Sequence, residues 1–130
     1  MSIDVVAAII FYNNKILAAQ RVFSLDKDIS LKFEFPGGKV NKGETKINAL
    51  KRELQEELCI KVEKFNYYFS KKHDYEKKII KLYFYKCKII KLPIELRVHR
   101  SLKLLSINEL RTVDWLDGNY AVIEKLENNL

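Results

Sequence analysis

Glu53, Glu56 and Glu57 crowd into five consecutive positions of a segment whose apolar residues Ile47, Leu50, Leu54 and Leu58 recur at helical spacing. At about 100° per residue, the three carboxylates share one stripe. Like charges so placed cost a bare helix about 0.2–0.5 kcal/mol per pair, which calls for a positive partner. Mg2+ is the natural one, with Mn2+ as a substitute, because a hard cation prefers oxygen ligands and commonly takes one or two carboxylates plus substrate phosphates. The stripe borders the apolar face, so the glutamates would sit at the edge of the core and look into a cleft. A charged amphipathic helix with a solvated face is the competing reading of the same pattern.

Elements on either side must place this helix. Phe35-Pro36-Gly37-Gly38 has to make a tight loop, since Pro fixes one backbone angle and paired glycines admit close backbone approach. Ile3 to Tyr12 is an almost continuous apolar run, as in a buried central strand. Asn13-Asn14 suits a hairpin turn because Asn tolerates left-handed angles, and Lys15 to Arg21 returns as a second strand. Arg21, beside the loop from Val22 to Ser30, is either a solvated strand end or an arginine reaching a phosphate with its fork of donors. Leu31 to Phe35 reads as a short strand, Lys61 to Lys71 as an aromatic-rich one, and Lys78 to Ile90 as its hairpin partner. His73-Asp74 then falls in the connection, where His73 is a turn residue, a base or a metal ligand. Ser106-Ile-Asn-Glu109 is a capping box opening a short helix, and Val122, Ile123 and Leu126 mark one face of a last helix over 118–126. Strands interleaved with two or three helices imply an α/β (α+β) architecture with a mixed sheet, one domain over residues 1–130.

With 48% hydrophobic and 32% charged residues, the chain reads as a soluble globular protein. No apolar run approaches the roughly 18 residues that a membrane span requires. Cys59 and Cys87 offer no disulfide framework, and no basic-then-apolar leader opens the sequence, so a reducing compartment, the cytoplasm, is expected. The net charge of +7 favours anionic partners, phosphate-bearing substrates and nucleic acid alike. The lysines are dispersed through strands and loops, so the charge does not separate these partners; no membrane and no stable nucleic-acid partner is expected, and the protein would act as a monomer or homodimer.

The spacing of Gly38, Glu44, Arg52-Glu53-Leu54, Glu56-Glu57 and Ile60 resembles the signature box of the Nudix hydrolases, eight matches over 23 residues. One residue departs: Cys59 stands where the family has Gly. That Gly serves a left-handed helix end, which costs a residue with a Cβ on the order of 1 kcal/mol, so the helix is expected to run on or close with a different turn. Beyond the box, Lys32 to Lys39 and Asp114 to Asn119 are similar to the MutT-type nucleoside triphosphate pyrophosphohydrolases of that family. The likeness implies a Nudix α/β/α sandwich.

It also implies a site. Glu53, Glu56 and Glu57 would bind Mg2+ with the Gly37 carbonyl as a further ligand, and Glu53 would be the general base or water orienter. Glu44 would pair with Arg52 to brace the loop, Arg21 and Lys39 would approach the phosphates beside Gly38, and Phe35, Tyr75 and Asn119 would wall a base pocket. An extra glutamate that some MutT-type enzymes carry before the last strand aligns here with Val98, with Glu95 a nearby substitute. The amide of Asn119 offers a donor and an acceptor to a purine edge, or it caps the last helix. The expected activity is cleavage of a nucleoside triphosphate to monophosphate and pyrophosphate, with 8-oxo-dGTP first and CTP or 5-methyl-dCTP second. Dinucleoside polyphosphates, ADP-ribose and capped RNA are the family's other substrates. A non-catalytic nucleotide-binding module is the alternative from another class.

Overall fold

The computed structural model describes residues 2–75, 77–91 and 94–129. Its elements follow in the order β1 (Ser2–Tyr12), β2 (Lys15–Gln20), β3 (Phe33–Glu34), β4 (Gly37–Lys39), α1 (Lys46–Leu58), β5 (Lys61–Tyr75), β6 (Lys78–Lys91), β7 (Ser101–Leu105) and α2 (Tyr120–Asn128). Two 3-10 helices, Ile107–Thr112 and Asp117–Asn119, precede α2. The sheet runs β3-β2-β1-β6-β5, with β4 added to β1 and β7 to β2. β1 and β6 are parallel and the other pairs antiparallel, so the sheet is mixed, as expected.

β1 lacks a polar face because the sheet is covered on both sides. Val6, Ala8 and Ile10 pack with Leu17 against Ala49, Leu50, Leu54 and Leu58 of α1. Ala7 and Ile9 pack with Ile16, Phe35, Phe84, Trp115 and the α2 residues Val122, Ile123 and Leu126. The three layers make an α/β/α sandwich. Each of the α1 leucines is fully buried, which stabilises the fold by about 1.5–3 kcal/mol per side chain. Ile47, expected on this face, is instead 37% exposed.

Local differences from expectation have local causes. Asn13 and Asn14 both take positive φ, as a tight hairpin requires. Leu31 to Phe35 shortens to Phe33–Glu34 because Leu31 itself turns at φ 61°. The expected glycine loop is in part a strand: Gly37 and Gly38 pair with Ala7 and Val6 of β1. A Cβ at Gly37 would collide with the Val6 carbonyl, so the glycine is needed for backbone approach. His73 and Asp74 do not form the connection; β5 continues through them, opposite Ile80 and Ile79. The capping box is present, with the Ser106 N–H donating to Glu109 Oε1 at 2.9 Å, but the helix it opens is 3-10.

α1 is tied at both ends. Thr45 Oγ1 accepts from the Asn48 N–H at 3.1 Å. At the other end Cys59 adopts φ 56°, ψ 33°, the left-handed geometry expected of the family's Gly, so the helix neither runs on nor closes differently. The segment before β7 then satisfies the last carbonyls: Arg97 N–H donates to Glu57 O at 3.1 Å and Glu95 N–H to Leu58 O at 3.0 Å. Retaining this geometry forces a Cβ into the left-handed region. Cys59→Gly should therefore raise stability by about 0.5–1 kcal/mol in urea unfolding, with an unchanged m-value.

Candidate active site

A cleft of about 600 Å3 opens between the C-terminal half of α1 and the ends of β2, β3 and β4. Arg21, Glu34, Phe35, Gly37, Gly38, Lys39, Glu57, Val98, His99 and Asn119 all line it. Sheet alternation explains the polar end. Phe33 and Phe35 face the α2 layer, so Glu34 between them points to the opposite side, toward α1.

Arg52 is the hub of the acidic end. Its Nε and Nη2 donate to the two Glu44 oxygens at 2.8 and 3.0 Å, and Nη2 also donates to the Lys39 carbonyl at 3.0 Å. Its Nη1 donates to Glu53 Oε1 at 2.9 Å and lies 3.5 Å from Glu56 Oε2. The bidentate pair braces the chain before α1 against the helix. Arg52 beside Glu44 holds that carboxyl below its usual range, with the Asn41 N–H adding to the effect.

Glu53 and Glu57 are largely buried, with side chains 16% and 14% exposed and Glu57 lining the cleft, whereas Glu56 at 59% faces solvent and Arg52. The stripe therefore divides. Among the described residues, no three His, Cys, Asp or Glu side chains stand grouped as an ion's ligands. The donors still suit a hard cation. Among the described residues Glu57 Oε1 is buried without a hydrogen-bond partner, and Gly38 lies so close to Glu53 that a Cβ there would strike its carboxyl group. Burial first, then the adjoining Glu53 carboxyl and the charge of Glu34, push Glu57 up to about 9, with Arg21 opposing.

Two residues here were not anticipated. Glu34 accepts from Arg21 Nη1 at 3.2 Å and sits 2.8 Å from His99 Nε2. His99 Nε2 is also 3.9 Å from Glu57 Oε1. An acid flanked by two strand aromatics was a legible signal for Glu34. His99 arrives only because residues 95 to 97 dock on the end of α1. Glu95 is 67% exposed and lies 4.0 Å from Arg97. Val98 borders the cleft but has no donor to offer.

At the apolar end, Phe35 stacks 4.7 Å from Trp115 and edge-on to Phe84 at 6.1 Å. Asn119 makes no side-chain cap to α2. Its Oδ1 accepts from the Phe35 N–H at 3.3 Å and its Nδ2 donates to Leu116 O at 3.2 Å, so the amide is held beside the cleft with a fixed orientation. Backbone bonds between Phe33 and both Asp114 and Leu116 bring the two segments together. The side chain of Tyr75 lies outside the described residues. His73 is not among the residues that line the cleft.

A buried carboxyl cluster facing an aromatic and amide pocket is the arrangement of a hydrolase for charged, ring-bearing substrates. The NUDIX domain model matches residues 1–127, and the chain belongs to that family. It is 41% identical over 98 residues to the 8-oxo-dGTP diphosphatase of Buchnera aphidicola subsp. Acyrthosiphon pisum, covering 75% of this chain and 78% of that one. To the CTP pyrophosphohydrolase of Escherichia coli (strain K12) it is 43% identical over 81 residues, 62% of this chain and 58% of that one. The solution structure of the E. coli ORF135 protein superposes with a TM-score of 0.84 at 31% identity, covering 98% of this chain and 89% of that one. The chain is thus a Nudix hydrolase, of a family that requires a divalent metal and acts on small nucleotide substrates. Among the described residues, no helix is long and apolar enough to cross a membrane.

The raised Glu57 has a signed consequence. The folded, metal-free protein holds a proton that the unfolded chain releases above 4.5, so stability is greatest below that value and falls as pH rises toward about 9. Denaturation in EDTA across this range should show the decline, and Glu57→Gln should flatten it. Gly38→Ala provides a second check. The added methyl displaces only the end of a flexible side chain, so the melting temperature should hold while turnover falls about 100-fold from a misplaced Glu53.

Proposed function

We propose that this chain, as a single catalytic domain, hydrolyses nucleoside triphosphates to the monophosphate and pyrophosphate, with 8-oxo-dGTP as the preferred substrate. The carrying observation is that one cleft holds the unpaired Glu57 oxygen beside Glu53 at one end and the oriented Asn119 amide against Phe35 at the other. The name of the Buchnera relative supports the same substrate. CTP is the second reading, favoured by the likeness to the E. coli CTP pyrophosphohydrolase.

Glu53 and Glu57, joined by Glu56 and the Gly37 carbonyl, would hold Mg2+, with Mn2+ as a substitute. Such an ion supplies charge neutralisation at the polyphosphate and polarises water. The protein's own residues do the rest. Arg21 and Lys39, on the rim of the cleft, neutralise the phosphate oxygens as charge shifts to the leaving group. Glu53 accepts the proton of the attacking water as its oxygen bonds to an internal phosphorus and the bridging P–O bond breaks. Arg52 and Glu44 keep Glu53 in position. Phe35 stacks the base and Asn119 reads its edge with one donor and one acceptor. The cytoplasm suits a chain with both cysteines unpaired.

The deciding experiment is a panel of canonical, oxidised and methylated triphosphates with Mg2+, with products identified. Pyrophosphate should be released fastest from 8-oxo-dGTP; orthophosphate as the first product would sink the internal attack. Glu53→Gln should lower kcat by about 100- to 10,000-fold, and full turnover in that variant would remove Glu53 from the role of base.

A further inference from the structure

We infer that His99 is a positioning residue for the metal-binding carboxylates: it locks Glu34 so that Glu57 Oε1 is left free to meet the cation. The inference rests on the reading of Glu57 as a metal-holding residue. Glu34 is clamped through both of its oxygens, Oε1 by Arg21 Nη1 at 3.2 Å and Oε2 by His99 Nε2 at 2.8 Å. A carboxylate accepts, so Nε2 is the donor to Glu34, and Nδ1 is buried without a hydrogen-bond partner among the described residues. Held at both oxygens, Glu34 is kept from swinging to share a proton with Glu57 or to draw the ion toward itself.

The same Nε2 stands 3.9 Å from Glu57 Oε1, too far to bond and close enough to exclude another side chain from that oxygen. The His99 side chain is 3% exposed, which leaves it little freedom to leave the clamp. Its backbone is anchored on both sides. The Arg97 N–H bonds the Glu57 carbonyl at 3.1 Å, and the Arg100 N–H bonds the Gln20 carbonyl at 2.8 Å. One of those anchors is the carbonyl of the very residue whose carboxyl His99 faces. The end of α1, the chain before β7 and Glu34 on β3 are thus tied together through the segment that carries His99. Outer partners of metal-holding carboxylates typically affect affinity or activity by about 10–100-fold.

The test compares full-length wild type, His99→Leu, His99→Gln and Glu34→Gln. Mn2+ alone is titrated by electron paramagnetic resonance, and kcat and KM are measured on the best nucleotide. His99→Leu should weaken Mn2+ about 10–100-fold and lower kcat by a similar factor, with KM within about threefold of wild type. His99→Gln, whose amide N–H reaches the same acceptor, should restore most of both. Glu34→Gln removes one acceptor without disturbing the ring and should weaken Mn2+ as well, which keeps the test open if the leucine variant fails to fold. Wild-type Mn2+ affinity in either His99→Leu or Glu34→Gln would overturn the inference. So would a glutamine variant as defective as the leucine one with both merely melting lower, since that marks a packing role. A wild type that binds Mn2+ yet cleaves no nucleotide would defeat the pyrophosphohydrolase reading, while the Mn2+ series would still decide His99.

Discussion

Carboxylates gathered at the edge of a core repel one another, and much of this protein is arranged to distribute hydrogen-bond donors among them. Arg52 serves Glu44 and Glu53, while Arg21 and His99 serve Glu34. Among the described residues, Glu57 alone is left with an unsatisfied buried carboxylate oxygen. Leaving such a group unpaired costs about 1–3 kcal/mol, more for a charge, and a fold retains it where something outside the protein completes it. Burial, with Glu53 and Glu34 beside it, raises the proton affinity of the Glu57 carboxyl in the metal-free protein.

That local arrangement depends on elements distant in the chain. The α1 helix supplies Arg52, Glu53 and Glu57 and is pinned by Leu50, Leu54 and Leu58 against β1. β4 presses Gly38 onto Glu53, and β3 turns Glu34 inward. The stretch 95 to 97 closes the helix end and carries His99 in with it. The left-handed Cys59 is the corner that lets the helix stop where those carbonyls can be met. Strain of about 1 kcal/mol at one residue is small beside the leucine burial that holds the same helix.

Much of the architecture was legible in the residues. The unbroken apolar run of β1 signalled burial on both faces, and the Asn13-Asn14 turn, the two helical faces and the mixed sheet followed from periodicity and turn chemistry. The misreadings share a cause. Strand ends at Leu31 and His73, the solvent-facing Ile47 and the strand character of Gly37-Gly38 were set by which neighbour each segment met, and local pattern does not encode that. Asn119 shows the same limit in a different form. Its residue type fits a cap, but the Phe35 N–H and the Leu116 carbonyl claimed its amide first.

By itself the sequence determined the acidic helix, its family box and the chemistry such a donor set supports, because spacing along one helix is a local property. Only the tertiary structure decided that Glu56 turns to solvent while Glu57 is buried, and that Arg52 binds three of the glutamates. Glu34 and His99 belong to the site by the same route. They stand 65 positions apart in sequence yet 2.8 Å apart in space, and only sheet pairing and the docking of a loop on a helix end produce that contact.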